Sequence, residues 1–325
     1  MNKGEKLQEF NPNHPELRKK FEEYIGTSLN IPVSLLMALP LKSRGRSSAW
    51  KIEFVSDEKR SSVVFKTAKP SPAGEISPAQ TKELSRQYLL LKQLETTKLK
   101  VPKAYGLDEA GTAVGVPCFL EEGLRGQVLY NFLKKKEKWA DELYLKSIID
   151  IQEIKKEELG EFKAELNTER TAKTLLKEVA EGFAAFPKGP MLTRLLEKLP
   201  AELPALPAPC FSSGDLNPKN FLVKDKTLSG ILDFELAGFI DPVFEFLVPL
   251  FWYPLLLKRG LEESFFRRKG LDPKLLDWYR ALVFTTVLLE AMRDEKENGT
   301  PPPAGRNIKE ECILALSIWV KKGTF

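Results

Sequence analysis

The first 70 residues show two successive hydrophobic patterns. Three apolar residues at helical spacing predict a helix over 15–26 that Pro15 opens: Leu17, Phe21 and Tyr24. From residue 33 onward the apolar positions gather into short runs of β-forming residues with polar turns between them, at 34–37, 50–55 and 62–66. This second pattern predicts an antiparallel meander of three strands.

The pattern changes again after the meander. A helix with one apolar face is predicted over 77–96, and two further strands follow at 103–107 and 113–121. The segment from Glu122 to Gly126 contains two glycines and is typical of a hinge. Beyond it the periodicity predicts four helices, at 128–138, 141–156, 171–186 and 191–199. Two short strands follow, at 221–223 and 229–233.

Strands that precede helices, with a glycine hinge between them, favour an α+β fold in two lobes. We expect a small N-terminal lobe built on an antiparallel sheet over 1–122. A mainly helical C-terminal lobe is expected over 123–325.

Composition removes several function classes. Of the 325 residues, 42% are hydrophobic and 29% charged, which is enough to build a core, and the net charge of +5 is too small to indicate nucleic-acid binding. The three cysteines are widely separated and form no CxxC pair, which disfavours a disulfide framework or a zinc ribbon. His14 is the only histidine, so a mechanism that needs two histidines is excluded.

Nothing in the sequence indicates a membrane protein. The longest apolar stretch, 246–257, is too short to cross a bilayer and contains two prolines. The first residues lack the apolar core of a signal peptide. We therefore expect a cytoplasmic protein with no membrane partner.

The candidate chemistry is concentrated between Cys210 and Phe246. Asp215 and Asn220 are five residues apart on one predicted loop, and Asn220 begins a predicted strand whose hairpin partner ends at Asp233. A hairpin would bring an amide oxygen and a carboxylate oxygen together. Such hard oxygen donors suit Mg²⁺, which usually takes one or two carboxylates together with nucleotide phosphates.

This donor set points to phosphoryl transfer. Asn220 and Asp233 would hold Mg²⁺, which leaves Asp215 to orient a substrate hydroxyl and accept its proton. Phosphoryl transfer requires mainly positioning and charge neutralisation from the protein, and it requires no histidine.

The predicted N-terminal sheet offers the remaining parts of a nucleotide site. Lys66 closes the third strand in a Val-Val-Phe-Lys pattern that is typical of a lysine bound to the α- and β-phosphates of ATP. The polar loop between the first two strands could cover phosphates through Gly45, Ser47 and Ser48. The hinge would offer backbone groups to the adenine edge through Glu121, Glu122 and Gly123.

These motifs resemble a known family. Gly-Asp-Leu-Asn-Pro-Lys-Asn at 214–220 and Ile-Leu-Asp-Phe-Glu at 231–235 are similar, in sequence and in spacing, to the aminoglycoside phosphotransferase and choline kinase superfamily, relatives of the protein kinases. The resemblance implies a bilobal protein-kinase-like fold, ATP and Mg²⁺ as cofactors, and a small-molecule alcohol as phosphate acceptor. It implies Asp215 as catalytic base, Asn220 and Asp233 as metal ligands and Lys66 as phosphate ligand.

Three positions depart from the family pattern. Ser213 stands where the family has histidine, and Ile240 stands where it has glycine before Asp241. Gln87 takes the place of the helix glutamate that pairs with the lysine; its amide could hydrogen-bond Lys66, and Glu83 could substitute for it. These departures leave open a second hypothesis, a weak or inactive nucleotide-binding pseudokinase that acts as a scaffold or sensor.

Several interpretations stay open at this stage. A protein kinase is disfavoured because no Ala-Pro-Glu triplet follows the Asp-Phe-Glu motif. Glu235 could extend the metal site or make a structural hydrogen bond, and Asp241 is interpreted as a brace for its loop. The aromatic run 251–253 could pack in the core or line a substrate site, and the lysine run 134–138 is typical of a solvated helix face. The acceptor and the oligomeric state are not predicted.

Overall fold

A computed structural model of the protein describes residues 12–41, 47–68, 75–166, 169–184, 205–298 and 307–322. Their contacts divide the chain into two compact units. The first unit comprises Met1–Val128, Lys156–Glu165 and Asn220–Glu235, and the second comprises Leu129–Lys155, Leu166–Lys219 and Leu236–Phe325. The lobe boundary predicted between 122 and 123 stays a prediction.

The first unit begins with helix α1, Pro15–Leu29. Pro15 occupies its first turn, where the missing N–H costs no hydrogen bond. The helix is three residues longer than predicted because Gly26 does not end it. The chain leaves the helix at Asn30, which adopts the left-handed conformation (φ 56°) and donates its N–H to the carbonyl of Thr27.

The first unit contains a five-stranded antiparallel sheet in the order β1-β2-β3-β5-β4. Its strands are β1 (Ser34–Leu41), β2 (Ser47–Ser56), β3 (Lys59–Ala68), β4 (Ala104–Asp108) and β5 (Cys118–Glu122). The predicted three-strand meander is confirmed. The strand predicted over 113–121 begins only at Cys118, because Gly111 and Gly115 adopt positive φ angles that break the extended run before it.

One face of this sheet packs on α1. Phe65 of β3 is fully buried and meets Phe21 of α1 edge to face, with ring centroids 4.9 Å apart. Because successive side chains of a strand point to opposite faces, the next residue, Lys66, points away from this apolar layer. The core on one face thus orients the lysine on the other.

Helix α2, Pro78–Leu94, covers the predicted span 77–96 apart from its first residue and its last two. It begins in a capping box, in which the Ser77 hydroxyl accepts the N–H of Gln80 and the Gln80 side chain accepts the N–H of Ser77. Its buried face includes two polar residues, Ser85 and Gln87, of which Gln87 is 4% exposed.

A second, three-stranded sheet of the first unit has the order β10-β9-β6. It contains β6 (Gln127–Val128), β9 (Phe221–Lys224) and β10 (Thr227–Ile231). The predicted hairpin is confirmed, and Phe221 pairs with Ile231 at its open end. Beyond that pair, the Leu232 N–H donates to the Asn220 carbonyl at 2.7 Å, so the flanks of both strands remain together.

The second unit is mainly helical, with a small sheet of order β7-β11-β8. Its elements are α3 (Leu129–Lys134), α4 (Lys138–Gln152), β7 (Glu169–Arg170), α5 (Ala172–Ala184), β8 (Cys210–Ser212), β11 (Gly238–Ile240), α6 (Pro242–Trp252), α7 (Pro254–Leu257), α8 (Leu261–Lys269), α9 (Leu275–Asn298) and α10 (Ile308–Lys322).

Two helix predictions for this unit need comment. The helix predicted over 128–138 ends at Lys134, because Lys136 takes a positive φ of 60° and turns the chain into α4. The helix predicted over 191–199 lies outside the described residues. No helix in the described ranges has the length and apolar character needed to cross a bilayer.

Candidate functional site

Lys66 lies in the first unit, two residues before the end of β3, and its side chain is 17% exposed. Its Nζ is 3.1 Å from a carboxylate oxygen of Glu121, which is 6% exposed. The strand register explains this pair. Lys66 faces Phe119 across β3 and β5, and Glu121 lies two residues further on the same face, at the diagonal position of the ladder.

Carboxylates surround this lysine. Burial disfavours its ammonium form, but Glu121, Asp233 and Glu235 outweigh burial and raise the pKa of Lys66 above its ordinary value. Burial also raises the pKa of Glu121, while its contact with Lys66 acts in the opposite direction. We call Lys66, Glu121, Asp233 and Glu235 the charge cluster.

Asp233 follows the hairpin rather than ending its second strand, which stops at Ile231. Although Asp233 is exposed, desolvation by nearby protein atoms is the main cause that raises the pKa of its carboxyl, with a further contribution from Glu235, while Lys66 and the Glu235 N–H act in the opposite direction. Its φ is +64°, a left-handed conformation that costs a residue other than glycine about 1 kcal/mol. The local backbone thus holds an aspartate where glycine would be less strained.

Glu235 connects three segments of the first unit. Its Oε1 accepts the Ser47 hydroxyl at 2.8 Å and the Gln87 amide at 3.2 Å, and its carbonyl accepts Arg86 at 3.1 Å. The structural hydrogen bond considered for Glu235 is therefore confirmed. The Gln87 amide is directed to Glu235 in place of Lys66, and the other suggested partner of Lys66, Glu83, pairs with Arg86 at 2.9 Å.

Two hinge N–H groups already have acceptors in the first unit. The Glu122 N–H donates to the Lys103 carbonyl at 2.8 Å, and the Gly123 N–H donates to the Ser62 carbonyl at 3.2 Å. The adenine contact expected from these residues stays a prediction. So does the phosphate contact of the loop, where Ser48 pairs with Thr67 in the β2–β3 ladder and Gly45 lies outside the described residues.

Asp215 belongs to the second unit, on the loop after β8. Its Oδ1 accepts the Asn217 N–H at 3.1 Å, and the Asn217 side chain accepts the Lys219 N–H at 3.0 Å. The buried Tyr144 hydroxyl donates to the Leu216 carbonyl at 2.6 Å. Gly214 has a φ of +81°, and a Cβ there would lie 2.1 Å from the Leu236 carbonyl oxygen, so this turn requires glycine.

A buried carboxyl supports this loop. Glu245 of α6 accepts the Ser212 hydroxyl at 2.8 Å, and the same hydroxyl oxygen accepts the Gly214 N–H at 3.3 Å. The pKa of Glu245 is raised to about 7, mainly by burial and in addition by Asp215, although Ser212, Arg170 and the Gly214 N–H lower it. We call this arrangement the Ser212–Glu245 brace.

Asp241 has the bracing role predicted from its sequence position. Its Oδ1 accepts the N–H groups of Val243 and Phe244, both at 3.0 Å, and thereby caps α6. Its Oδ2 accepts the Tyr279 hydroxyl at 2.7 Å. By contrast, the hydroxyl of Ser213 is buried and has no hydrogen-bond partner among the described residues.

Sequence reasoning missed two side chains near these candidates. Glu121 was considered only for its backbone, although its side chain pairs with Lys66. The Ser212 hydroxyl donates to the Glu245 carboxyl, a contact that the sequence motifs do not predict. One sequence signal for Glu245 was available. Glu245 follows Asp241 by four residues on the helix that Asp241 caps, which places both side chains in the same buried layer.

Comparisons with known structures identify the fold. A Ralstonia eutropha JMP134 protein assigned to the aminoglycoside phosphotransferases is 15% identical, with a TM-score of 0.67 over 94% of this chain and 98% of that one. APH(2″)-IIIa, in complex with GDP and kanamycin, is 20% identical, with a TM-score of 0.61 over 93% and 98%. APH(4)-Ia, in complex with ADP and hygromycin B, is 12% identical, with a TM-score of 0.60 over 93% and 98%.

These likenesses confirm the predicted fold class, a kinase-like α+β fold with an antiparallel sheet in its N-terminal part and a largely helical C-terminal part. Comparison with curated protein sequences gives no match. Residues 51–282 match the phosphotransferase enzyme family, APH. This match spans well over half of the sequence, and the chain therefore belongs to that family.

Proposed function

We propose that the protein transfers the γ-phosphate of ATP to a hydroxyl group of a small molecule. In this proposal Lys66 binds nucleotide phosphates, Asn220 and Asp233 hold Mg²⁺, and Asp215 accepts the proton of the hydroxyl. The acceptor oxygen forms a bond to the γ-phosphorus while the bond from that phosphorus to the bridging oxygen breaks, which releases ADP. Family membership and the charge cluster support this assignment.

The balance of charge in the cluster is the observation that carries the proposal. One ammonium, from Lys66, faces the three carboxylates of Glu121, Asp233 and Glu235. Desolvation and, to a smaller extent, Glu235 raise the pKa of Asp233, so positive charge beside this carboxylate would stabilise its ionised form. A cation at this position would supply that charge.

The donors fit Mg²⁺ in particular. The Asp233 carboxylate and the Asn220 amide offer hard oxygens, and Leu232 ties the backbone of Asn220 to the segment that carries Asp233. Within the described residues, no group of three His, Cys, Asp or Glu side chains forms a metal site. When bound, Mg²⁺ would neutralise charge on the phosphate oxygens.

Structural neighbours support nucleotide binding and a small acceptor. APH(2″)-IIIa was solved with GDP and kanamycin, and APH(4)-Ia with ADP and hygromycin B. We infer by analogy that this chain binds a purine nucleotide and a small alcohol. The choice of ATP rests on the resemblance noted in the sequence.

A single conservative substitution tests the role of Asp215. Asp215→Asn keeps the oxygen that accepts the Asn217 N–H, so the loop is retained while the proton acceptor is lost. We expect phosphate transfer from labelled ATP to fall by about 10²-fold or more, with unchanged nucleotide affinity by calorimetry. Asp225→Asn, in an exposed turn of the hairpin, is the matched control. Undiminished turnover by the Asp215 variant would refute the assignment.

A second candidate function, a nucleotide-binding pseudoenzyme, is favoured by two observations. Gln87 bonds Glu235, and the Ser213 hydroxyl is buried without a partner among the described residues. Both lie at positions where the resemblance implies a different residue. Measurable Mg²⁺-dependent ATP turnover that Asp215→Asn abolishes would decide against this alternative.

A further inference from the structure

A cluster of aromatic rings and lysines lies on the second unit, near the loop of Asp215. The rings of Tyr130 and Tyr253 are tilted against each other with centroids 4.6 Å apart. Lys219 Nζ is 5.6 Å from the Tyr130 centroid and 5.3 Å from the Tyr253 centroid, and Lys134 Nζ is 5.2 Å from the Tyr130 centroid. We call these four residues the lysine–tyrosine patch.

The patch is built from three separate segments. Tyr130 and Lys134 are four residues apart on α3 and share one face, Tyr253 follows the end of α6, and Lys219 lies on the Asp215 loop. Attraction between each ammonium and the electron-rich ring face holds the lysine side chains over the tyrosines. The lysine run 134–138, which the sequence predicts as a solvated helix face, therefore contributes one member with a defined position.

One member of the patch lies on the same loop as Asp215. Lys219 is four positions after Asp215, so their Cα atoms are at most about 14 Å apart, and the two successive side-chain turns through Asn217 shorten that path. Tyr144 fixes the loop between them at Leu216. A molecule whose hydroxyl meets Asp215 can thus extend its other end to the patch.

The charge of the patch is not compensated by ion pairs within the described residues. Neither Lys134 nor Lys219 forms an ion pair with any residue that the structure describes. Two ammonium groups that share one tyrosine ring repel a cationic group and attract an anionic one. Cation–π contacts satisfy part of the electrostatics of each lysine but leave its N–H donors available to oxygen atoms.

From this juxtaposition we propose that the lysine–tyrosine patch binds an anionic group of the phosphate acceptor, a carboxylate or a phosphate, and thereby selects a negatively charged alcohol over a polycationic one. This inference rests on the proposed phosphotransferase function and names its acceptor class. Lys219 and Lys134 are the specificity-determining residues.

A matched series of acceptors with one scaffold provides the test. Glycerol, glycerate, glycerol 3-phosphate and 3-amino-1,2-propanediol carry neutral, carboxylate, phosphate and ammonium ends, respectively, on the same hydroxyl-bearing chain. With labelled ATP we expect kcat/KM to be about tenfold higher for at least one anionic member than for glycerol, and lowest for the amine. The carboxylate and phosphate members distinguish the two anions.

Variants connect this preference to the patch. Lys219→Met and Lys134→Met should each raise the KM for the preferred anion about tenfold and leave kcat and the KM for glycerol unchanged, and Lys219→Arg should largely retain the preference. Lys135→Met is the matched control, because Lys135 lies over the ring of Phe132 at 5.8 Å and is not part of the patch. The proposal would be overturned if both Met variants had the same KM for the preferred anion as the wild type.

The test separates the acceptor class from the proposed function. Preferred phosphorylation of the amine or of kanamycin would refute the anionic acceptor while the phosphotransferase function stands. If no alcohol of the series is phosphorylated, saturation-transfer NMR of glycerate and glycerol 3-phosphate decides. Binding of either anion that Lys219→Met weakens would support the proposal, and signals no stronger than that of glycerol would overturn it.

Discussion

The charge cluster of the first unit and the Ser212–Glu245 brace of the second both hold buried carboxyl groups, but they stabilise them differently. In the cluster, Lys66 offers a full positive charge 3.1 Å from Glu121. In the brace, Glu245 is held by hydrogen bonds from Ser212, and its pKa rises to about 7. A neighbouring ammonium favours the charged form of a carboxyl group, whereas burial among neutral donors favours protonation near neutral pH.

The two regions therefore provide different properties. Excess negative charge in the cluster favours cation and phosphate chemistry, because one lysine does not neutralise three carboxylates. Hydrogen bonds in the brace keep the Gly214 turn in place without adding a fixed positive charge next to Asp215. Substitutions in the two regions can separate the effect of charge from the effect of hydrogen bonding.

The largest effect is expected from removing the lysine. Lys66→Met leaves Glu121 buried without its partner, which should lower the free energy of unfolding by about 3–5 kcal/mol. Adding Glu121→Leu should restore most of that loss, because no unpaired charge then remains. Denaturant unfolding measures both changes.

Nucleotide affinity supplies the other half of this test. Both Lys66 variants should bind ATP at least about tenfold more weakly than the wild type, since the second substitution restores stability but not the ammonium. A double variant with wild-type ATP affinity would show that Lys66 serves only the fold.

The partner of Lys66 was not predictable from the sequence. The two strands and the lysine were predictable from their periodicity, and the resemblance directed attention to Gln87 as the partner. Glu121 reaches Lys66 because β3 and β5 pair with Lys66 opposite Phe119. The register between strands that are 50 residues apart depends on packing of the whole sheet, which local periodicity does not reveal.

A smaller effect, dependent on pH, is expected from the brace. The folded-state pKa of Glu245, about 7, exceeds the value of 4.5 for an exposed glutamate. The folded protein therefore binds more protons than the unfolded chain between these pH values, and stability must fall as the pH rises from about 4.5 to 7. The contribution of this one group is about 3 kcal/mol.

Glu245→Gln isolates this contribution because the amide oxygen still accepts the Ser212 hydroxyl while the titration is removed. Between pH 5 and 8, the free energy of unfolding of the variant should fall less steeply than that of the wild type. Parallel pH profiles would contradict a neutral Glu245 in the folded protein. Other buried carboxyls affect both proteins alike, so the difference between the two profiles reports on Glu245.

The smallest change in stability is expected at Asp233. Asp233→Gly removes an exposed carboxylate and relieves the left-handed backbone, but it gives the unfolded chain more conformational freedom. We expect the free energy of unfolding to stay within about 1 kcal/mol of the wild type. A loss above about 3 kcal/mol would mean that Asp233 is primarily structural.

The hairpin that carries Asp233 was predictable, and its conformation was not. The spacing of Asn220 and Asp233 around a polar turn indicated two paired strands, and the pairing of Phe221 with Ile231 confirms it. No sequence signal indicated the positive φ of Asp233, since aspartate also occurs in ordinary turns. The contact of Lys219 with Tyr130 and Tyr253 was not predictable either, because it joins segments that are distant in the chain.

Calorimetric titration of the wild type and Asp233→Gly with ATP, with and without Mg²⁺, tests whether Asp233 binds Mg²⁺ together with the nucleotide. If the charge cluster lacks a cation that Mg²⁺ supplies, the wild type should bind ATP at least about tenfold more tightly with Mg²⁺ than without it, and the variant should lose this difference. Equal Mg²⁺ dependence in the two proteins would contradict the account.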